Sequence, residues 1–307
     1  MAPQPGHRAV VRVPVATLWT DPDAVRPIDE PALRDSPDVA AWTAGMDHDQ
    51  QVGDCVLTQL LLDEPVLVTA TGPDGWVRVV ALGQPAAKLD PRGYPGWMRA
   101  AHLAAPADTG PPAPALALVV DVRRATLHEA ADGPPALSGV VLGTHLASAG
   151  RPVDGWRPVR APGPAAPLWA PEGDLVPVPA ERPEAKEVLA VAERLRDLRY
   201  IWGGLSTDGI DCSGLVHLAW RRYGVTLPRD ADDQAEATTP LALDDERPGD
   251  LYFFARPGRR IHHVGIVSAE PHGGRRRMLH ACYLTRRVVE EELPAARVAT
   301  LVGAHRV

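Results

Sequence analysis

Three residues of this chain carry the types and spacing that thiol chemistry requires. Cys212 stands in Asp211-Cys212-Ser213-Gly214, directly before an apolar run. At the start of a helix, unpaired backbone N–H groups and the macrodipole favour an anion, so a thiolate there is stabilised. A free cysteine in the same place also serves as a small packing residue, and the nucleophilic reading therefore needs a base. His262 and His263 open the strand-like Val264-Gly265-Ile266-Val267. Successive strand residues point to opposite faces, so only one of the pair can face Cys212 and the other is a surface or packing residue. Alternation alone does not say which. His280, in Met278-Leu279-His280-Ala281, is placed to hold the far ring nitrogen of His263. Alone it would read as a satisfied core histidine, and its weight comes from its company.

The elements that must position these groups are legible around them. Pro183 opens a charged segment, Glu184–Asp197, in which Val188, Leu189, Ala192 and Leu195 recur at helical spacing. A second helix is expected from Cys212 to about Tyr223, stopped by Gly224. Strands are expected at 250–254, 264–267, 278–283 and 297–303. One helical face against an antiparallel sheet gives an α+β domain.

Proline (33) and glycine (27) crowd the first 180 residues and imply many turns and short strands there. The run Val10–Leu18 recurs in outline at Val119–Leu127, and Asp74-Gly75-Trp76 recurs as Asp154-Gly155-Trp156. Two motifs repeated in one order point to a duplicated small β module. Within the first copy, Val39, Ala40, Trp42 and Met46 predict a helical insertion over Asp38–Gln50. Linkers are expected at Ala104–Pro114 and Ala161–Pro183.

The net charge of −7, with no basic block beyond Arg275–Arg277, argues against nucleic acid. Those three arginines read as a solvated hairpin loop, and His305 as a surface residue. Cys55, Cys212 and Cys282 are too few and too scattered for a disulfide framework or a zinc site. Cys55 and Cys282 are expected to pack as apolar residues. Residues 1–8 lack a signal-peptide pattern and no segment has the length of a membrane helix, so the expected compartment is the cytoplasm, with no membrane partner.

Six segments, in order, carry a resemblance: Tyr200-Ile201-Trp202-Gly203-Gly204, Asp211-Cys212-Ser213-Gly214, Leu227-Pro228-Arg229-Asp230, Pro248-Gly249-Asp250-Leu251, His263-Val264-Gly265-Ile266 and His280-Ala281. They span about 100 residues and resemble the NlpC-type family of papain-like cysteine peptidases. The resemblance implies Cys212 as nucleophile, His263 as base, His280 as its orienting residue, and Tyr200 with the Cys212 N–H as oxyanion donors. Upstream, Ala16–Trp19, Thr58–Val66 and Gly93–Trp97 resemble one branch of that family. In it two bacterial SH3-like barrels precede the peptidase domain. Its members are γ-D-glutamyl-L-diamino acid endopeptidases acting on free murein peptides with an N-terminal L-Ala.

The implied fold is thus two all-β SH3-like barrels (1–108, with the helical insertion, and 114–180) followed by an α+β papain-like domain (183–307). By motif position the resemblance assigns Glu64, Tyr94 and Asp211 to the substrate ammonium. It assigns Trp202 and Ser213 to the subsite for L-Ala and γ-D-Glu, and Arg229 and Asp230 to its wall. The branch often has a serine after the Arg-Asp pair, where this chain has Ala231. No metal or organic cofactor is implied. Two other readings remain open: an amidase or transpeptidase on the same thiol scaffold, and a non-catalytic binder of cell-wall peptides.

Overall fold

The structure, a computed structural model, describes residues 4–106 and 117–307. The first seven strands are β1 (Arg8–Val11), β2 (Val15–Trp19), β3 (Val56–Leu61), β4 (Pro65–Thr71), β5 (Trp76–Ala81), β6 (Tyr94–Arg99) and β7 (Leu103–Ala104). The next seven are β8 (Ala117–Val120), β9 (Arg124–His128), β10 (Pro135–Val141), β11 (His145–Ser148), β12 (Trp156–Arg160), β13 (Leu168–Pro171) and β14 (Leu175–Pro177). The two antiparallel sheets run β3-β2-β6-β5-β4-β1-β7 and β10-β9-β13-β12-β11-β8-β14. The orders are identical strand for strand, so the repeated motifs mark a repeated fold. Asp74-Gly75 and Asp154-Gly155 make the same turn, all four residues at positive φ, a conformation that Asp and Gly adopt most readily.

Only the first barrel carries helices between its second and third strands, α1 (Glu30–Leu33) and α2 (Val39–Gly45). Asp38 caps α2 by accepting the Ala41 N–H at 2.8 Å. Trp42 packs on Trp19 and donates its indole N–H to Asp29.

The last part of the chain has helices α3 (Ala185–Glu193), α4 (Cys212–Arg221), α5 (Ala231–Glu236) and α6 (Ala295–Val298). Its strands are the short β15 (Leu205–Ser206) and β16 (Gly209–Ile210), then β17 (Thr239–Leu241), β18 (Leu251–Ala255), β19 (Ile261–His272), β20 (Arg275–Cys282), β21 (Arg287–Glu292) and β22 (Leu301–Arg306). The sheet β17-β22-β18-β19-β20-β21 is antiparallel throughout, and α4 packs on β19 and β20. One apolar core joins α3, α4 and this sheet to Trp19, Trp42, Cys55 and Val56 of the first barrel and to Val141 and Leu142 of the second.

Several expectations need correction. Arg275–Arg277 begin β20 rather than a loop. The turn belongs to Gly273 and Gly274, both at positive φ, while Arg276 pairs with Asp244 and Glu246. Residues 161–183 are not a linker, because they hold β13 and β14. Of the expected linker Ala104–Pro114, residues 107–114 lie outside the described residues. Residues 297–298 close α6 after Pro294, so the final strand starts later, at Leu301. His305 is half-buried, stacked edge-on against Phe253 and bonded to Thr238.

Candidate active site

Asp211 starts α4 by taking the Gly214 N–H at 2.6 Å, which leaves Cys212 as the first helical residue. Nearly the whole helix is buried, because one face meets the sheet and the other meets the barrels. On the sheet, Ile266 of β19 lies opposite Leu279 of β20, and His280 opposite Val289 of β21. Continuing the first register places Gly265 opposite His280. A Cβ on Gly265 would lie 2.6 Å from Met278 Sδ and 3.2 Å from His280 Cβ, so only glycine permits this approach. Since strand side chains alternate with period two, His263, His280 and Glu291 share one face, stepping diagonally across β19, β20 and β21.

Their rings and carboxylate touch in series. His263 Nε2 lies 2.8 Å from His280 Nδ1, and His280 Nε2 lies 3.2 Å from Glu291 Oε1. The Val264 backbone N–H, next to His263, reaches the Cys212 thiol. His262 faces outward at the rim of the cleft while His263 is buried behind it, as alternation requires. Burial pushes the Cys212 thiol up to about 12, and Asp211 adds to this. The N–H groups of Val264 and Ser213, and the charge of Arg229, work the other way. Burial, with His280, Arg297 and His262, holds His263 well below the usual histidine range. Burial thus disfavours the thiolate of Cys212 and the imidazolium of His263 alike, against the pull of the helix terminus.

A cleft of about 420 Å³ opens over Cys212. Tyr200, Trp202, Asp211, Ser213, Asp230 and Ala231 line it from the C-terminal domain, and Asp54, Leu57 and Tyr94 from the first barrel. The barrel wall is fixed by specific bonds. Trp202 N–H donates to Gln51 O at 2.8 Å, and Leu205 N–H to Gln59 Oε1 at 2.9 Å. Thr43 Oγ1 donates to Asp208 O at 2.8 Å. Gly203 has φ +72, and a Cβ there would lie 2.6 Å from Val56 Cγ1. Tyr94 Oη donates to Asp230 at 3.2 Å across the cleft. Burial and the nearby Cys212 raise the Tyr200 hydroxyl well above its usual value, so it stays a proton donor.

Glu64 is not in this cleft. It is buried at the other end of α4, against Arg221 at 3.3 Å, and accepts from Leu61 N–H and Gln84 Nε2. Arg221 is nine residues beyond Cys212, about 13 Å along a helix, so Glu64 belongs to the far end of α4 and is already occupied there. Asp211 lines the cleft, yet both its oxygens are engaged by Gly203 N–H, Gly214 N–H, Ser213 Oγ and Arg229. Arg229 lies behind the wall rather than forming it. Its guanidinium holds Asp211, Ser213, Gly204 O and the first barrel's Thr58. Asp54 and Glu291 were missed. Asp54 follows the helical insertion and reaches the cleft only through the packing of that insertion. Glu291 sits in Val288-Val289-Glu290-Glu291-Glu292, where alternation places it on the face of Val289 and His280, a signal available once β21 is paired.

Among the described residues two clusters have ligand-like geometry for a cation, His280/Cys282/Glu291 and Asp230/Asp232/Asp233, each with its atoms within 4.8 Å. Protein cations already serve both: Arg297 contacts Cys282 and Glu291, and Lys88 contacts Asp232 and Asp233.

Residues 197–300 match the model of the NlpC/P60 family. The chain is 34% identical over 304 residues to a γ-D-glutamyl-L-lysine dipeptidyl-peptidase of Bacillus subtilis, covering 92% of this chain and 96% of that one. It is 30% identical to the protein of that name from Bacillus cereus, covering 84% and 80%. The crystal structure of an NlpC/P60 family protein from Bacillus cereus superposes with a TM-score of 0.86 at 28% identity, over 97% of this chain and 99% of that one.

Proposed function

This chain belongs to the NlpC/P60 family and is a cell-wall peptidase, and on that premise we propose that it is a cysteine endopeptidase. The bond we propose it cleaves is the γ-D-glutamyl–diamino acid amide of free murein peptides with an N-terminal L-Ala. The observation that carries the reading is the cleft: a thiol at a helix start beside the strand that carries the His263–His280 line, closed on one side by a barrel wall that brings carboxylates and a tyrosine.

As Cys212 Sγ attacks the γ-carbonyl carbon, His263 takes the thiol proton as general base. The carbonyl oxygen becomes an oxyanion near the Cys212 N–H, which as the first helical residue has no intrahelical acceptor, and the Tyr200 hydroxyl. His263 then gives its proton to the diamino acid nitrogen, the C–N bond breaks, and a thioester remains. Water attacks the thioester with His263 as base, and the γ-carboxylate leaves as the thiol is restored. His280 orients His263, while Trp202 and Ser213 flank the L-Ala-γ-D-Glu unit.

With Glu64 buried elsewhere, Asp211 engaged and Asp232 paired with Lys88, the acids left for the substrate ammonium are Asp230, which holds Tyr94, and Asp54. A desolvated ammonium needs such charged acceptors. Burial, opposed by Arg229, raises the Asp230 carboxyl, and an incoming ammonium would reverse that. Peptides still joined to glycan have no free L-Ala amine, so this pocket favours released peptides and hence recycling. Three unpaired cysteines suit a reducing compartment, and we place the activity in the cytoplasm, to be checked by cell fractionation.

The test is release of the diamino acid from L-Ala-γ-D-Glu-meso-diaminopimelate and from its L-lysine analogue, each free and N-acetylated. Cleavage of the free peptides alone, abolished in Cys212→Ala, supports the reading. Equal cleavage of acetylated peptide removes the ammonium pocket. Acyl transfer to an added amine in place of hydrolysis would make the protein a transpeptidase.

A further inference from the structure

We propose that Glu291 is a positioning residue that fixes the tautomers of both histidines, so that the bare nitrogen of His263 faces Cys212. The inference rests on the thiol peptidase reading and follows from counting donors and acceptors along one line. An ionised carboxylate only accepts, and it lies 3.2 Å from His280 Nε2. That nitrogen must therefore carry the proton. A neutral imidazole has one N–H, so His280 Nδ1 is an acceptor, and its partner 2.8 Å away, His263 Nε2, must be the donor. The remaining nitrogen of His263, Nδ1, is then unprotonated and free to take the thiol proton. With the order reversed, His263 Nδ1 would carry a proton and could not act as base.

The surroundings hold Glu291 to this role. His280 is fully buried, so water cannot supply a substitute acceptor. Arg297, on α6, lies 3.5 Å from Glu291 Oε1 and also reaches Cys282 Sγ. Its charge keeps the carboxylate ionised and opposes a second proton on His280. The charged or titratable groups bearing on His263 are His280, Arg297 and His262. When His263 becomes cationic during the reaction, Glu291 is the negative group that the chain of rings leads to. The same line has no neutral substitute: a glutamine at 291 can donate as well as accept, which allows both rings to invert.

Nitrogen-15 NMR of the histidine rings in the unliganded protein tests the assignment without any substrate. The expected pattern is His263 protonated at Nε2 and His280 protonated at Nε2. Glu291→Gln is expected to mix the tautomers at both rings. It should also lower kcat ten- to a hundredfold with KM within twofold, and slow iodoacetamide alkylation of Cys212 at neutral pH by a similar factor. Glu291→Asp should restore part of each. A wild-type ring pattern with His263 protonated at Nδ1 overturns the proposal, whether or not any variant folds. So does a Glu291→Gln protein whose alkylation rate stays within twofold of wild type. Should the peptide substrate be wrong, ring tautomers and alkylation still decide the role of Glu291.

Discussion

The two barrels share one strand order yet meet the C-terminal domain in different ways. The first presents buried polar groups to the Cys212 end of α4: Thr58 on Arg229, Gln59 on Leu205, Gln51 on Trp202 and Tyr94 on Asp230. The second meets the far side with charged and half-exposed groups. Its Asp121 holds Arg194 and Arg222, and its Gly143 and His145 contact Arg221. The first barrel alone has the insertion that carries Trp42 and leads to Asp54. A duplicated module thus acquired one copy that builds the cleft and one that braces the helix from behind. Topology alone does not distinguish them; the insertion and the buried polar side chains do.

The sharpest way to break this comparison is Arg229→Met, which removes the group tying the first barrel to the start of α4. It leaves the Asp211 carboxylate buried without its cation, and we expect a loss of about 3–5 kcal/mol in urea unfolding together with loss of activity. A protein of unchanged stability would show that the barrel wall does not depend on this clamp.

Tyr94→Phe should act on binding. Losing a hydroxyl that holds Asp230 in place is expected to raise KM for the free-amine peptide roughly tenfold, about 1.4 kcal/mol, with kcat nearly unchanged. A fall in kcat at constant KM would assign Tyr94 to the reaction itself.

The smallest effects separate the barrels by pH. Burial raises Asp63, in the first barrel, from 3.8 to about 6. The folded protein then binds that proton more tightly than the unfolded chain, so stability is lost as pH rises from about 4 through 6. Asp63→Asn should raise the unfolding midpoint at pH 7 and leave it unchanged at pH 4. Asp121 behaves oppositely. Burial opposes its charge, but Arg222 and Arg194 prevail and hold the carboxyl below the usual range. Its contribution is present above about pH 4 and is lost on acidification below that. Asp121→Asn should therefore cost about 1 kcal/mol at neutral pH and nothing in strong acid, with kcat/KM unaltered. Equal pH responses of the two variants would erase the distinction.

Local pattern carried much of this protein in its sequence. The thiol at a helix start, the alternation that sends His262 and His263 to opposite faces, the repeated Asp-Gly-Trp turns and the helical spacing of Trp42 and Met46 all depend on near neighbours. Periodicity of 3.6 or 2 records which face is buried, so such features can be read without knowing what lies opposite. The six ordered motifs added the family. What only the tertiary structure decided are pairings across long stretches of chain. Glu64 belongs to Arg221 and Gln84, not to the ligand; Arg229 is spent on Asp211 and Thr58; Asp54 is carried to the cleft by the insertion. Glu291 meets His280 because β21 pairs with β20 in one register. A carboxylate reads the same in sequence whether it faces solvent, a guanidinium or a substrate. Burial and the partner fix its role, and both are set by the assembled fold.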